Sequence, residues 1–168
     1  MKKQINAFDY AGHICEAMKK GILLTTKADG KLNTMTIGWG TIGIEWGRPV
    51  FVAYVRVGRH TRQMLDASGE FTVNIPYGDV DSKILGFCGT KSGRDTDKFN
   101  ELGLEAVDSD VVSVPGIHQL PLTLEWLEGP HWSLQRHYRK STELSLYILQ
   151  ANDTDFLSEL FLQTQLPV

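Results

Sequence analysis

Three arginines follow a strongly apolar stretch near the middle of the sequence. The segment PVFVAYVRV has the alternation and β-branched content of a strand, and VRVGRHTRQM then places Arg56, Arg59 and Arg62 three positions apart. Where a strand passes into a helix, such guanidinium groups can converge with the free N–H groups of the helix on one anion. The spacing therefore favours an anion site. A solvated strand end is the open alternative, because exposed arginines are common.

An earlier segment, KLNTMTIGWG, carries neutral polar groups that could line the same site. It offers the side-chain amide of Asn33 and the hydroxyl groups of Thr34 and Thr36. The alternative is an ordinary strand whose apolar residues lie in the core; these residues are Met35, Ile37 and Trp39.

A later segment, CGTKSGRD, combines cations with glycines. Lys91, Ser92 and Arg94 provide donors, and the glycine-flanked backbone N–H groups could form an anion-binding nest. The alternative is a polar loop in which Cys88 is a small buried hydrophobic residue.

The overall composition limits what such a site could bind. The chain has 168 residues, of which 42% are hydrophobic and 22% charged, and its formal net charge is −3. This length predicts one globular domain spanning residues 1–168. Nucleic-acid-binding proteins usually carry a basic face, so the acidic balance argues against nucleic acid and for a small ligand of the basic cluster. No apolar run approaches the roughly 20 residues of a membrane span, which argues against a membrane protein.

The sequence lacks the common patterns of metal and nucleotide chemistry. Five histidines and two cysteines are present without the paired spacing of a zinc site, so we expect no metal. No Gly-x-Ser-x-Gly, Walker or dinucleotide-binding glycine motif occurs. Cys15 and Cys88 form no Cys-x-x-Cys pair, and the N terminus shows no apolar leader, so we expect a reducing, cytoplasmic setting.

Periodicity and turn signals predict short strands with a few brief helices. Strands are predicted at Ile22 to Thr26, from Met35 to Trp39 after an Asp-Gly hairpin signal, and in PVFVAYVRV, EFTVNI, LPLTLEWLEG and ELSLYILQA. Helices are predicted from Tyr10 to Lys20 with a stop at Gly21, from a Thr61 cap to near Gly69, around Ser82 to Phe87, before Gly103, and in DTDFLSELFLQ, where Phe156, Leu157, Leu160 and Phe161 share a face. This order indicates a mostly β fold, an antiparallel barrel or sandwich with peripheral helices.

Together these segments resemble the flavin reductase-like, flavoredoxin-type family of FMN-binding split barrels. The resemblance rests on GILLTT, NTMTIGWG, PVFVAYVRVGRHT, GEFTVNIP and, most distinctively, GFCGTKSGRDTDKF, in that order, from about Gly21 to Val107. It implies an antiparallel, Greek-key-like split β-barrel that dimerises, with FMN in a cleft near the subunit boundary. After LTLEW the chain is shorter than the family pattern, and only ELSLYILQA is similar to the last family strand.

The resemblance also implies roles for particular segments. Asn33 to Thr36 would line the isoalloxazine and ribityl side of FMN. Arg56, Arg59 and Thr61 would belong to the strand end that binds its phosphate. Cys88, Gly89 and Ser92 would belong to the loop that closes the site. Arg62, one helical turn beyond Arg59, is expected to face solvent, and His60 stands where the family often has an aromatic residue. The expected cofactor-binding residues are Asn33, Thr34, Met35, Thr36, Trp39, Arg56, Arg59, His60, Thr61, Cys88, Gly89, Lys91 and Ser92. No residue is assigned a catalytic role.

Two functional classes fit this resemblance. In the first, bound FMN takes electrons from NAD(P)H or a protein donor and passes them on, while the protein supplies orientation and electrostatics. In the second, the chain is a non-enzymatic flavin-binding or flavin-storage module. A pyridoxamine-phosphate oxidase-like activity has no motif support. The expected partners are FMN, a second copy of the chain and, for the first class, NAD(P)H or a redox protein.

Overall fold

Antiparallel strands are the main regular structure of the described residues, as the alternating segments and turn signals predict. The computed structural model describes residues 3–45, 48–125, 144–150 and 161–164. Its strands are β1 (Lys3–Asn6), β2 (Ile22–Ala28), β3 (Lys31–Ile37), β4 (Gly40–Glu45), β5 (Arg48–Arg56), β6 (Phe71–Ile75), β7 (Ala106–Val107), β8 (Gly116–Ile117), β9 (Leu122–Glu125), β10 (Leu144–Gln150) and β11 (Phe161–Thr164). Its helices are α1 (Ala11–Lys20), α2 (His60–Ser68), α3 (Ser82–Thr90) and α4 (Lys98–Leu102), and a 3-10 helix, Ala7–Tyr10, precedes α1.

The strands form two main sheets. The larger has the order β1-β11-β9-β6-β2-β3 and the smaller the order β10-β5-β4, while β7 and β8 form a separate short pair. All of these pairings are antiparallel. After β4, β5 and α2, the chain returns so that β6 pairs beside β2. This is the kind of long return connection that Greek-key-like folds use.

The β2–β3 hairpin positions the NTMT segment. Its turn residues Asp29 and Gly30 have φ angles of 50° and 74°, the left-handed conformation that both central residues of a type I′ hairpin turn require. Since side chains alternate along a strand, Met35 points to one side of β3, whereas Thr34 and Thr36 point to the other. The hairpin turn therefore determines which NTMT side chains share a face.

Buried apolar side chains form two cores, one on each side of β2. Leu24, Met35 and Phe51 belong to the main core. Leu23 and Cys88 belong to a second core, beneath α3 and α4. Neighbouring residues of β2 thus anchor opposite sides of the sheet, which holds α3 and α4 against the back of β3.

The helix ends predicted from glycines are confirmed. The helices α1, α2 and α4 end directly before Gly21, Gly69 and Gly103. At Gly69 the φ angle is 72°, and its N–H donates to the Leu65 carbonyl at 2.8 Å, which closes α2. α3 continues to Thr90, three residues beyond the predicted end.

Two sequence-based predictions of local structure are wrong. The DTDFLSELFLQ segment was expected to be helical, but Phe161–Thr164 is the strand β11, paired with β1 on one side and β9 on the other. Backbone pairing on both edges outweighs the local helical pattern in these four residues. The other helix-face residues, Phe156, Leu157 and Leu160, lie outside the described residues. The other error concerns the strand predicted from Met35 to Trp39. In the structure this strand is β3, which ends at Ile37, so Trp39 lies beyond it.

No helix in the described part of the chain is both long and apolar enough to cross a lipid bilayer.

Candidate functional site

Two clefts adjoin beside β3 and share Met35 and Arg59 in their linings. The first, which we call the cationic cleft, has a volume of about 150 Å³ and is lined by Met35 and residues 58–61, 88, 90–94 and 98. The second, which we call the aromatic cleft, has a volume of about 200 Å³ and is lined by residues 35–39, 54, 56 and 59. Together they form one groove with a charged end and an apolar end.

The cationic cleft concentrates positive charge in a chain whose net charge is negative. Its described lining includes Arg59, Lys91, Arg94 and Lys98 and contains no aspartate or glutamate. The start of α2 adds to this field, because Arg59 is its N-cap residue and no side chain caps the first N–H groups. An anion is therefore the ligand that this cleft favours.

Lys98 forms the buried floor of the cationic cleft. Its side chain is 4% exposed, and its Nζ donates hydrogen bonds of 2.7 Å to the Thr34 carbonyl and 3.0 Å to the Cys88 carbonyl. Burial lowers the pKa of Lys98; the Cys88 thiol opposes this shift, and the nearby Arg59 adds to it. The ammonium thus bridges β3 and α3 while one N–H remains for a ligand.

The sequence-based assignment missed Lys98, although the residue lies in the quoted GFCGTKSGRDTDKF segment. The available signal was Asp97, a helix-capping residue whose carboxylate accepts from the Asn100 N–H at 3.1 Å. This cap places Lys98 at the first position of α4, where a cation opposes the helix dipole. A cation at this position does not favour the helix, so the position of Lys98 suggests a role other than helix stability.

Asn33 supports the cationic cleft from below without lining it. Its Nδ2 donates to the Thr61 hydroxyl at 2.8 Å, which ties β3 to the first turn of α2. A Cβ atom added to Gly93 would collide with Asn33 Oδ1, so the loop backbone rests directly on this amide. Asn33 Oδ1 and His60 Nδ1 are buried and have no hydrogen-bond partner within the described structure.

The aromatic cleft has an apolar floor and an exposed aromatic wall. Met35 and Ile37 are 6% and 4% exposed, whereas Trp39 is 60% exposed. The Arg56 guanidinium carbon lies 6.0 Å from the centre of the Trp39 ring, at the outer limit of a cation–π contact. The interpretation that places Trp39 in the core is therefore wrong, while Met35 and Ile37 are core residues as that interpretation expects. Tyr54, another wall residue, was missed by the sequence-based assignment.

Two of the expected polar residues present their side chains elsewhere. The Thr34 hydroxyl donates to the Leu24 carbonyl at 3.2 Å and accepts from the Thr25 hydroxyl at 3.0 Å, so only the Thr34 backbone is available to Lys98. The Thr36 hydroxyl donates to the Leu85 carbonyl at 2.6 Å, although Thr36 lines the aromatic cleft. Both hydroxyl groups therefore anchor β3 to neighbouring structure.

The structure brings together most of the expected residues. Those that line a cleft are Met35, Thr36, Trp39, Arg56, Arg59, His60, Thr61, Cys88, Lys91 and Ser92. Those that line neither cleft are Asn33, Thr34 and Gly89. Gly89 instead packs on the Thr36 side chain, where an added Cβ would lie 3.3 Å from Thr36 Cβ.

Two expectations for the first turn of α2 are wrong. Arg62 does not face solvent: it is 5% exposed, and its Nε donates to the Asp66 carboxylate at 2.8 Å. The residue points into the protein because positions 61, 62, 64 and 65 form the buried face of α2. Thr61 is not the N-cap residue, since Arg59 holds that position and the Thr61 hydroxyl accepts from Asn33.

Cys88 is a buried thiol at the edge of the cationic cleft. It is 1% exposed and belongs to the second core, as the interpretation of a small buried hydrophobic residue expects. Burial raises the pKa of Cys88 to about 11, although the neighbouring Lys98 ammonium acts in the opposite direction. The thiol is therefore protonated near neutral pH.

A larger groove, about 640 Å³, lies between α1 and α3, away from the cation cluster. His13 is one of its lining residues, and the His13 Nε2 is 2.7 Å from the Pro76 carbonyl. Glu16 and Lys20 balance its charge. This groove lacks the excess charge of the cationic cleft.

Comparison with known proteins identifies the class to which this fold and groove belong. The family described as flavin reductase like domain matches residues 17–126, and the chain belongs to this family. The chain is 30% identical over 109 residues to "Uncharacterized protein YddH" of Escherichia coli, a match that covers 63% of this chain and 56% of that protein. The chain spans about half the length of the curated relatives it matches.

Solved structures share the fold at lower sequence identity. The FMN-binding domain of a flavin reductases-like enzyme from Shewanella baltica matches with a TM-score of 0.63 and 14% identity, over 98% of this chain and 77% of that chain. Flavoredoxin of Desulfovibrio vulgaris matches with a TM-score of 0.58 and 22% identity, over 79% of this chain and 66% of that chain. The fold is thus the flavin reductase-like split β-barrel, as the sequence resemblance implies.

Proposed function

We propose that this chain binds FMN across the two adjoining clefts, with the phosphate in the cationic cleft and the ring system in the aromatic cleft. The observation that carries the proposal is the pair of shared lining residues, Met35 and Arg59, which join a cation-rich end to an aromatic end. Together the two volumes reach the lower end of the range typical of small-molecule sites, about 300 to 1,000 Å³. FMN has the matching shape, a phosphate linked by a flexible chain to a planar ring.

The residues of the cationic cleft suit a phosphate dianion. The Lys98 ammonium has three N–H groups, of which two donate to carbonyls and one is left for a ligand. Arg59 lies where the two clefts meet. The start of α2, which no side chain caps, lines the same cleft. These groups would bind the phosphate through charge-assisted hydrogen bonds and orient the ring toward Trp39 and Tyr54.

A redox role follows from the chemistry of the cofactor. FMN supplies electron transfer, while the chain supplies binding, orientation and electrostatics. We propose NAD(P)H or a protein as the electron donor. The open aromatic cleft, whose Trp39 wall is 60% exposed, favours this role over flavin storage, because a second reactant can reach the ring.

We also propose that the chain forms a homodimer. Trp39, directly before β4, is 60% exposed, and Ile44, near the end of β4, is 68% exposed. Val57, after β5, is 43% exposed. Large apolar residues left exposed in this number suggest a protein partner, and a second copy is the common case. Light scattering at micromolar concentration should give twice the monomer mass. A monomer mass that does not respond to added FMN would contradict the dimer.

The phosphate assignment is tested by replacing the shared arginine. A charge-assisted hydrogen bond contributes about 1.5 to 3 kcal/mol, so Arg59→Ala should weaken FMN binding roughly ten- to a hundredfold. Riboflavin, which lacks the phosphate, should bind the variant about as well as the wild type. Lys83→Ala is the matched control, because Lys83 is an exposed cation on α3 outside both clefts. Equal FMN affinity in Arg59→Ala and wild type would overturn the assignment.

The two functional classes are separated by reduction of the bound flavin. If the protein is a redox enzyme, NADH or NADPH should bleach the visible absorption of bound FMN under anaerobic conditions, faster than it reduces free FMN. A storage module would bind FMN and show no such acceleration with either nucleotide or with reduced electron-transfer proteins.

A further inference from the structure

The groove between α1 and α3, which we call the helix groove, has no part in the proposed flavin site. Its volume is about 640 Å³, and none of its lining residues lines the cationic or the aromatic cleft. Sites for small molecules typically have volumes of about 300 to 1,000 Å³. The helix groove is therefore large enough to hold a ligand of its own.

The two hydrophobic cores hold the helix groove open. On the α1 side, Ile14 and Met18 are buried in the main core. On the α3 side, Ile84 and Cys88 are buried in the second core. Because these cores lie on opposite sides of β2, the two helices cannot close on each other without withdrawing buried side chains. The groove is thus pre-formed, as small-molecule sites usually are.

The lining of the helix groove carries balanced charge. Glu16 and Lys20, one turn apart on α1, bear one negative and one positive charge. The other polar side chains of the lining are His13 and Ser82, and the remaining lining residues are apolar or glycine. An uncharged ligand is therefore favoured over an anion or a cation.

His13 supplies a hydrogen-bond acceptor to the helix groove. Its Nε2 lies 2.7 Å from the Pro76 carbonyl, which can only accept, so Nε2 carries the proton. In the neutral ring Nδ1 then has a lone pair, and no group in the described part of the chain donates to it. A ligand hydroxyl is the matching donor.

An aromatic cluster lies beside the helix groove. The His13 and Tyr77 rings meet edge-on with their centres 4.8 Å apart, and the Tyr10 ring meets Tyr77 in the same way at 6.2 Å. Tyr77 is 38% exposed and stands between Pro76 and Gly78, which both line the groove. Rings packed edge to face favour the addition of another ring. The cluster therefore favours a planar aromatic ligand.

We propose that the helix groove is a second ligand site, which binds an uncharged, planar aromatic compound that carries a hydroxyl group. The rings of the ligand pack between Ala17 on α1 and Leu85 on α3, and its hydroxyl donates to His13 Nδ1. The proposal does not require that FMN binds.

The helix groove and the aromatic cleft are neighbours with a wall between them. Gly21 lines the groove, and Thr36 lines the aromatic cleft. A Cβ atom added to Gly21 would lie 2.6 Å from Thr36 Cγ2, so these two residues are packed against each other. We therefore expect both sites to be occupied at the same time.

The test uses 2-naphthol as the probe and 2-methoxynaphthalene as the analogue without a hydroxyl donor. Both are titrated by calorimetry at pH 8, where free histidine is neutral, into FMN-free and FMN-loaded protein. Ser82→Trp places an indole at the lining of the groove. Lys83→Trp is the matched control, because Lys83 is the next residue of α3, is exposed and does not line the groove. His13→Phe keeps a ring beside Tyr77 and removes the acceptor.

Wild type should bind one 2-naphthol per chain, with the same affinity in the presence and absence of FMN. Ser82→Trp should weaken this binding at least about tenfold, whereas Lys83→Trp should not change it. His13→Phe should weaken binding of 2-naphthol about two- to tenfold, the effect of one neutral hydrogen bond, and leave binding of 2-methoxynaphthalene unchanged.

Absence of saturable 2-naphthol binding, or equal losses in the two tryptophan variants, would overturn the site. Displacement of 2-naphthol by FMN or NADH would also overturn it, because the groove would then belong to the proposed flavin site. Equal 2-naphthol affinity in His13→Phe and wild type would refute the role of the hydroxyl. Thermal unfolding shows whether each variant is folded, and the two tryptophan variants decide the site if His13→Phe is not. If the protein fails to bind FMN, the titrations into FMN-free protein still test the groove.

Discussion

The Lys98 ammonium donates a 2.7 Å hydrogen bond to the Thr34 carbonyl, 64 positions earlier in the chain. Through a second bond, to the Cys88 carbonyl, the same group also holds the end of α3. One buried cation thus joins a strand and two helices at the floor of the cationic cleft. The same positive charge therefore holds these elements together and contributes to the proposed phosphate site.

FMN affinity should depend on pH through Lys98. Burial lowers the pKa of Lys98 from its usual 10.5 in the free protein. A bound phosphate favours the charged ammonium and raises this pKa, so binding takes up a proton at pH values between the two pKa values. At pH values above about 7, where the phosphate is fully ionised, the affinity should be highest below the free-protein pKa of Lys98 and should fall as pH rises through that window. The measurement is the ratio of FMN to riboflavin affinity across pH, which cancels ionisation of the ring.

Lys98→Met should remove this pH dependence and lower the FMN affinity at neutral pH. Two buried carbonyls also lose a donor, so the free energy of unfolding should fall by about 1 to 3 kcal/mol in urea titrations. Lys83→Met, on the exposed face of α3, is the control and should alter neither quantity. A pH profile that is identical in Lys98→Met and wild type would contradict this role.

Gly93→Ala should weaken FMN binding by displacing the loop that lines the cationic cleft from residue 90 to residue 94. The added Cβ collides with Asn33 Oδ1, and the Asn33 amide cannot swing aside freely because its Nδ2 is bonded to Thr61. Overpacking of this kind costs about 1 to 3 kcal/mol. Gly86→Ala is the control: its Cβ meets nothing within 4 Å and it lies inside α3, so it should stabilise the protein by about 0.5 to 1 kcal/mol. Thermal unfolding with and without FMN measures both effects.

Arg62→Ala should reduce stability without changing ligand selectivity. The variant removes the partner of Asp66 from a buried position, and loss of a hydrogen bond between charged groups costs about 1.5 to 3 kcal/mol. Arg62 lines neither cleft, so the ratio of FMN to riboflavin affinity should match that of wild type. A selective loss of FMN affinity would show that Arg62 acts on the phosphate.

Cys88 should be chemically inert in the folded protein. Its pKa of about 11 leaves far less thiolate than an ordinary cysteine has, so iodoacetamide should modify it at least about a hundredfold more slowly than Cys15 at pH 8. Cys15, an exposed residue on α1, is the internal control, and both should react alike in denaturant. Cys88→Ser should leave flavin reduction by NAD(P)H nearly unchanged. Loss of turnover with FMN still bound would assign the thiol a redox role.

Local signals in the sequence determined much of the fold. The hairpin between β2 and β3 follows from Asp29 and Gly30, because aspartate and glycine are residue types that favour the left-handed conformation this turn requires. Gly21, Gly69 and Gly103 likewise predict where three helices end. These turns and helix ends can be predicted because they depend mainly on residues that are adjacent in the sequence.

The same sequence predicts most of the candidate site, because polar residues gather where strands end. It does not predict Lys98, whose importance comes from carbonyls that lie 64 and 10 positions away. It misplaces Arg62, since the direction of a helical side chain depends on the sheet against which α2 packs. It also misassigns Phe161–Thr164, which is a strand only because β1 and β9 lie on either side. Contacts between segments that are distant in the sequence determine the role of Lys98, the direction of Arg62 and the strand at Phe161–Thr164. Residue types and short spacings do not show which distant segments will be in contact.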